Sequence, residues 1–202
     1  IASQPSRSFI DGTTYAARSV CMLAIGWEKK YNKKYSLGGY RMVIRLANTG
    51  DIPGMISLLL QVGQVHHVLR PDIFPPATLK YDETALAQLL GDESRPVFVA
   101  VEEDFVAGYC FCVHRDHKGG SVSTDRRELY IDDLCVDENH RGQGVATKLY
   151  RHVTDYAKRC GCSFITLNVW CGNDNAMRFY EKMGMRPRHI MMETPLEEAY
   201  AD

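Results

Sequence analysis

Apolar and polar positions change period several times along the chain, and each change predicts an element. Met42-Val-Ile-Arg-Leu46 is a short apolar run of strand type. Thr49-Gly-Asp-Ile-Pro53 reads as a helix start, with a capping residue and an early proline. Ile56, Leu59, Leu60, Val65 and Val68 supply that helix's apolar face. Arg70-Pro-Asp-Ile-Phe-Pro-Pro76 must end it, because three prolines remove donors and fix φ. A second helix is expected over 83–90, capped by Asp82 and stopped by Gly91. Residues 97–101 and 105–113 read as a hairpin, and the polar stretch 114–127 as a mobile loop. Beyond it come strand 129–136, helix 144–158, strand 164–170, helix 175–183 and strand 188–193. Such alternation predicts an α/β (α+β) fold, one domain around a mixed twisted sheet flanked by helices.

The clear pattern opens at Met42, which sets the expected domains. Residues 1–41 are an N-terminal extension or arm outside the core, 42–196 the functional domain and 197–202 a tail. The first 41 residues carry seven basic and two acidic side chains in a chain whose net charge is −1. As an arm, they would be anchored by Tyr15, Leu23 and Trp27. Near-neutral charge gives no electrostatic case for nucleic acid or a membrane surface, and the basic segment lacks the interleaved aromatics of a stacking platform. The apolar run 20–27 is far short of the roughly 20 residues a span needs, and no cleavage pattern follows it. Seven cysteines, an odd count in apolar segments, read as reduced thiols, and the expected setting is the cytoplasm. The pairs Cys110/Cys112 and Cys160/Cys162 lack the C-x-x-C spacing that wraps a tetrahedral metal, so no metal is expected.

The most informative window is Leu134-Cys-Val-Asp-Glu-Asn-His-Arg-Gly-Gln-Gly-Val-Ala-Thr-Lys-Leu149. A strand ends, a polar turn follows, and a glycine-rich step opens a helix. That arrangement aims backbone N–H groups and the positive end of the helix dipole at one point, where Arg141 adds a fixed charge. Gly142-x-Gly144 is not the dinucleotide fingerprint, because position 147 is Thr, and Lys148 does not complete a P-loop. Arg141-x-x-Gly144-x-Ala146 resembles instead the acetyl-CoA motif of the Gcn5-related N-acetyltransferase (GNAT) superfamily. Asn173-x-x-Ala176-x-x-x-Tyr180-x-x-x-Gly184-Met185 resembles that family's downstream motif, and the resemblance covers about residues 42–194.

The resemblance implies an N-acetyltransferase that moves an acetyl group from acetyl-CoA to a primary amine by direct attack in a ternary complex. It implies a notch where strand 129–136 splays from strand 164–170. There the pantetheine of coenzyme A would pair with Leu134, Cys135 and Val136 like an added strand. Arg141, Gly142, Gln143, Gly144, Val145, Ala146 and Thr147 would take the pyrophosphate, with Asn173, Ala176 and Tyr180 completing the cofactor site. Tyr180 matches the family's general acid for the leaving thiolate, and Asp132 the position of its carboxylate base. Strand alternation puts Asp132 and Asp133 on opposite faces, so only one can face the substrate. The Leu134 amide is the candidate donor to the thioester oxygen. Cys135, between apolar neighbours, reads as a buried side chain rather than a nucleophile. On the acceptor side, His66, Arg70, Asp72 and Phe74 resemble a subgroup pattern, H-x-x-L-R-P-D-x-F, with the loop 114–127 as an opposite wall. A homodimer is an arrangement common among relatives. The competing reading is a catalytically silent CoA-binding regulatory module, which would need neither Tyr180 nor Asp132.

Overall fold

A computed structural model describes residues 32–37 and 40–196. The chain divides into two compact units, Ile1–Asn168 and Val169–Asp202. In the first unit the strands β1 (Lys33–Leu37) and β2 (Tyr40–Leu46) precede helices α1 (Ile52–Leu69) and α2 (Glu83–Leu89). The strands β3 (Val97–Glu102), β4 (Phe105–His117) and β5 (Arg126–Val136) follow, then helix α3 (Val145–Arg159) and β6 (Phe164–Leu167). The six strands lie in sequence order, antiparallel except for the final pair, where the α3 crossover makes β5 and β6 parallel.

The core has two layers, one on each face of the sheet. Met55, Leu58 and Leu59 of α1 and Leu86 and Leu89 of α2 cover Val97, Val99, Tyr109, Phe111 and Cys135. On the opposite face Phe98 stands edge-on to His152 and Tyr156 of α3. Helices on both faces explain why 97–101 is continuously apolar rather than alternating.

Several expectations shift. The register of α1 differs from the expected face: Leu60 and Val68 are 45% and 71% exposed, whereas Met55 and Leu58 are buried. By length and composition this helix could also cross a membrane, a property that the sequence reading did not register. The expected boundary at Met42 falls inside β2. Upstream of it β1 pairs with β2, Lys33 reaches Asp155 of α3, and Lys148 lies over the Tyr35 ring, so the sheet starts before that boundary. Most of the expected loop 114–127 is ladder: β4 runs to His117 and β5 starts at Arg126, with Asp116 facing Arg127 across the strands and bound to it. Charged side chains are compatible with a paired edge when opposite signs face each other. Tyr15, Leu23, Trp27 and the tail 197–202 lie outside the described residues.

In the second unit, α4 (Asp174–Lys182) starts at Asn173, whose side chain accepts from the Ala176 amide. Gly184 ends it in the left-handed region, with Met185 N donating to Tyr180 O. No strand forms over 188–193, contrary to expectation; a strand needs a ladder partner, and the sheet ends at β6.

Candidate active site

The site begins where two strands stop pairing. The last β5–β6 pair is Ile131↔Leu167, yet β5 continues to Val136, paired there, among the described residues, with β4 as its one strand neighbour. Asp137 N donates to Ala107 O at 3.0 Å, which fixes the phase of that antiparallel pair. Cys135 and Asp133 therefore turn their backbone polar groups to β4, and Leu134 and Val136 turn theirs to the open edge. The Val136 carbonyl accepts from Arg141 Nε at 3.2 Å.

Past Val136 a 3-10 turn, Glu138–His140, leads into the glycine step. Gly142 and Gly144 both have left-handed φ, +75° and +79°. Gly144 is the N-cap of α3 and has no side chain to offer, so nothing of its own caps the Val145, Ala146 and Thr147 amides. Three donors and a helix dipole thus face outward at one corner, a setting suited to an anion. Gln61 of α1 fixes the approach: its Nε2 donates to Asp137 Oδ2 at 2.9 Å and its Oε1 accepts from Glu138 N at 3.1 Å. His140 bonds Asp137 and stacks on Phe105, bracing the same turn.

On the α1–α2 side of the edge, the ladder carries a bulge. Phe111 pairs with Asp133 and Cys112 with Ile131, so Asp132 has no strand partner. A bulge breaks alternation. Both carboxylates consequently reach the same side, overturning the expectation that only one can. Asp132 accepts from Tyr81 Oη at 3.2 Å and pairs with Lys80 Nζ at 2.8 Å, with Arg95 4.0 Å away. Asp133 accepts from Tyr109 Oη at 2.9 Å. Burial pushes the Asp133 carboxyl above the usual carboxylate range, although the Tyr109 hydrogen bond, Lys80 and His66 pull it back. Burial likewise lowers the His66 imidazole, with Asp133 opposing and Lys80 adding to the effect. Cys135 is pushed up to about 12, chiefly by burial, and its thiol donates to Leu58 O; a thiolate nucleophile is not available there.

An edge strand left open beside a glycine-started helix is the arrangement that the sequence motifs imply, and the family of the chain is settled by comparison with known proteins. The model of the Acetyltransferase (GNAT) family matches residues 62–185, more than half of the chain. The chain belongs to the GNAT acetyltransferase family. This GNAT chain is 26% identical over 142 residues to the thialysine N-epsilon-acetyltransferase of Mus musculus, covering 69% of the chain and 79% of that protein. It is 36% identical over 87 residues to N-alpha-acetyltransferase 30 of Schizosaccharomyces pombe, 43% of this chain, and spans about half (55%) of that relative's length. Among solved structures, the BH1408 protein of Bacillus halodurans superposes with a TM-score of 0.73 at 30% identity, covering 76% of this chain and 98% of that one.

The GNAT fold brings Leu134, Cys135, Val136 and the residues Arg141–Thr147 to one end of β5, as the sequence predicts. The His66 ring lies tilted by 31° against Phe74 at 5.0 Å between ring centroids, and His67 Nδ1 lies 2.8 Å from Phe74 O. Arg70 instead forks onto Asp72, bracing the turn after α1. Asn173 and Tyr180 belong to the second unit, where Asn173 caps α4 and Tyr180 stands edge-on to Phe179. Lys80, Tyr81, Arg95, Tyr109 and Gln61 escaped sequence reasoning, and Asp133 was placed on the opposite face. Besides the His66–Phe74 pattern, the adjacent pair Asp132-Asp133 signalled the acceptor side, and alternation misassigned half of it.

Proposed function

We propose that this GNAT chain moves an acetyl group from acetyl-CoA to a primary amine by direct attack in a ternary complex. The observation that carries this reading is the open edge at Leu134 and Val136 beside the uncapped start of α3. An extended pantetheine fits such an edge by strand-like hydrogen bonding. The Val145–Thr147 amides, with Gly142–Gly144 and Arg141, suit the pyrophosphate. Acetyl-CoA supplies the activated thioester. Leu134 N–H stabilises the oxygen of that thioester as charge develops on it. Asp132, directly or through one water, takes a proton from the incoming ammonium, whose ordinary pKa of about 10 otherwise blocks attack. Tyr180, by its motif match, returns a proton to the departing sulfur, and Asn173 and Ala176 contact the cofactor. His66 and Phe74 line the amine's approach, and Arg70 shapes that wall through its turn. The amine-specific acetyltransferases among its relatives support an amine acceptor. The buried thiols Cys110, Cys112 and Cys135 support a reducing, cytoplasmic setting.

The test pairs calorimetric titration of acetyl-CoA with thiol release across N-terminal peptides, thialysine and aminoglycosides. Amine-dependent release that falls at least about 100-fold in Tyr180→Phe, with coenzyme A affinity within about twofold, supports the reading. Binding without release for any amine favours the silent CoA-binding module.

A further inference from the structure

The acceptor side of β5 already holds an amine, and it belongs to the protein. Lys80 Nζ lies 2.8 Å from Asp132 Oδ2 and 3.3 Å from Asp132 O. Asp132 precedes the open-edge residue Leu134 by two positions, roughly 7 Å along the strand, so the Nζ bound to Asp132 is on the strand segment that leads into the open edge. The lysine is held there by its segment. Residues 70–82 turn back across α1, where a Cβ on Gly63 would stand 2.8 Å from Thr78 O. Further along, Tyr81 donates to Asp132, packs 5.5 Å from the Phe111 ring and accepts from Arg95 at 2.7 Å. Lys80 remains 42% exposed, so the ammonium is placed by its partners rather than enclosed.

We infer that Lys80 is a self-modification site, its ammonium occupying the acceptor position beside Asp132 and receiving the acetyl group when no other amine is present. This rests on the acetyl-transfer reading above. An Nζ–H proton passes to Asp132, and the freed Nζ lone pair bonds the thioester carbon of acetyl-CoA. The C–S bond breaks with its electrons on sulfur, which takes up the second Nζ proton, and Asp132 returns the first to water, leaving N-ε-acetyl-lysine, free coenzyme A thiol and an ionised Asp132. The neutral amide cannot hold Asp132 as an ion pair, so modification releases that carboxylate to a second, external amine.

The full chain is incubated with isotopically labelled acetyl-CoA, and the rate of label entry at each lysine is followed by peptide mass spectrometry. Lys80 is expected to label at least tenfold faster than the exposed Lys118 and Lys158. Its rate should not depend on protein concentration, and it should fall at least tenfold in Asp132→Asn while Lys118 is unaffected. Lys80→Arg keeps the cation and should abolish the fast label. Labelling of Lys80 no faster than of Lys118 overturns the inference, as does a Lys80 rate unchanged in Asp132→Asn. Thiol release with external amines and acetyl-CoA titration on the same preparation separate the two levels. Amine-dependent release without fast Lys80 labelling sinks this inference alone; neither binding nor release sinks the acetyl-transfer reading and this inference with it.

Discussion

Tyr109 Oη donates a 2.9 Å hydrogen bond to Asp133 Oδ2, linking the buried interior to the carboxylate pair at the bulge of β5. That bond favours the ionised carboxylate against the burial that disfavours it. In Tyr109→Phe the carboxyl pKa rises further, because its one stabilising phenol is gone. If activity needs Asp133 ionised, the acid limb of kcat/KM for the amine moves to higher pH, by about one unit for a hydrogen bond of ordinary strength. Asp133→Asn should flatten that limb. A limb that stays in place in both variants assigns it to another group.

His152 is fully buried in α3, and among the described residues neither of its ring nitrogens has a hydrogen-bond partner. Burial, helped by Lys33 and Arg159, pushes its imidazole down to about 4 from 6.5. The folded state therefore resists a proton that the unfolded chain accepts. Stability is unaffected above pH 6.5 and declines as pH falls from there toward 4, by roughly 3 kcal/mol in all. His152→Leu should reduce that decline, read as a smaller loss of denaturant midpoint between pH 7 and pH 4.5.

Gly144→Ala forces an L side chain to φ +79° although nothing crowds the site. The strain costs about 1 kcal/mol and tilts the α3 amides away from the anion. Coenzyme A affinity should fall about tenfold or more by calorimetry. Gly161→Ala, with φ +71° and equally open space at the other end of α3, is the control. It should cost similar stability and leave affinity alone.

Gln61→Ala removes the two bonds that tie α1 to Asp137 and Glu138. The turn ahead of the pyrophosphate loop loosens, so KM for acetyl-CoA should rise about fivefold with kcat within about twofold, consistent with roughly 1 kcal/mol. A drop in kcat with KM constant would place Gln61 on the acceptor side instead.

Much of this was legible along the chain. Helix α2 starts at its expected Asp82 cap, whose side chain accepts from Ala85 N. The β3–β4 hairpin turns where Glu103 adopts φ +54°. The loop from Arg141 to Ala146 opens α3 as expected, because glycine placement and helix capping are local properties. Misreadings arose where pairing decides: the strand upstream of Met42, the extended β4–β5 ladder, and the missing strand at 188–193. None of these is local, since a strand exists only through its neighbour.

The sequence by itself determined the helix starts, the phosphate-type loop and the family, through residues whose physics is complete within a few positions. The tertiary structure decided which face each carboxylate serves. One extra residue opposite Phe111 and Cys112 puts Asp132 and Asp133 on one side, and Lys80, Tyr81 and Tyr109 reach them from distant parts of the chain. Register and long-range approach depend on how the whole sheet pairs, and no local pattern encodes that.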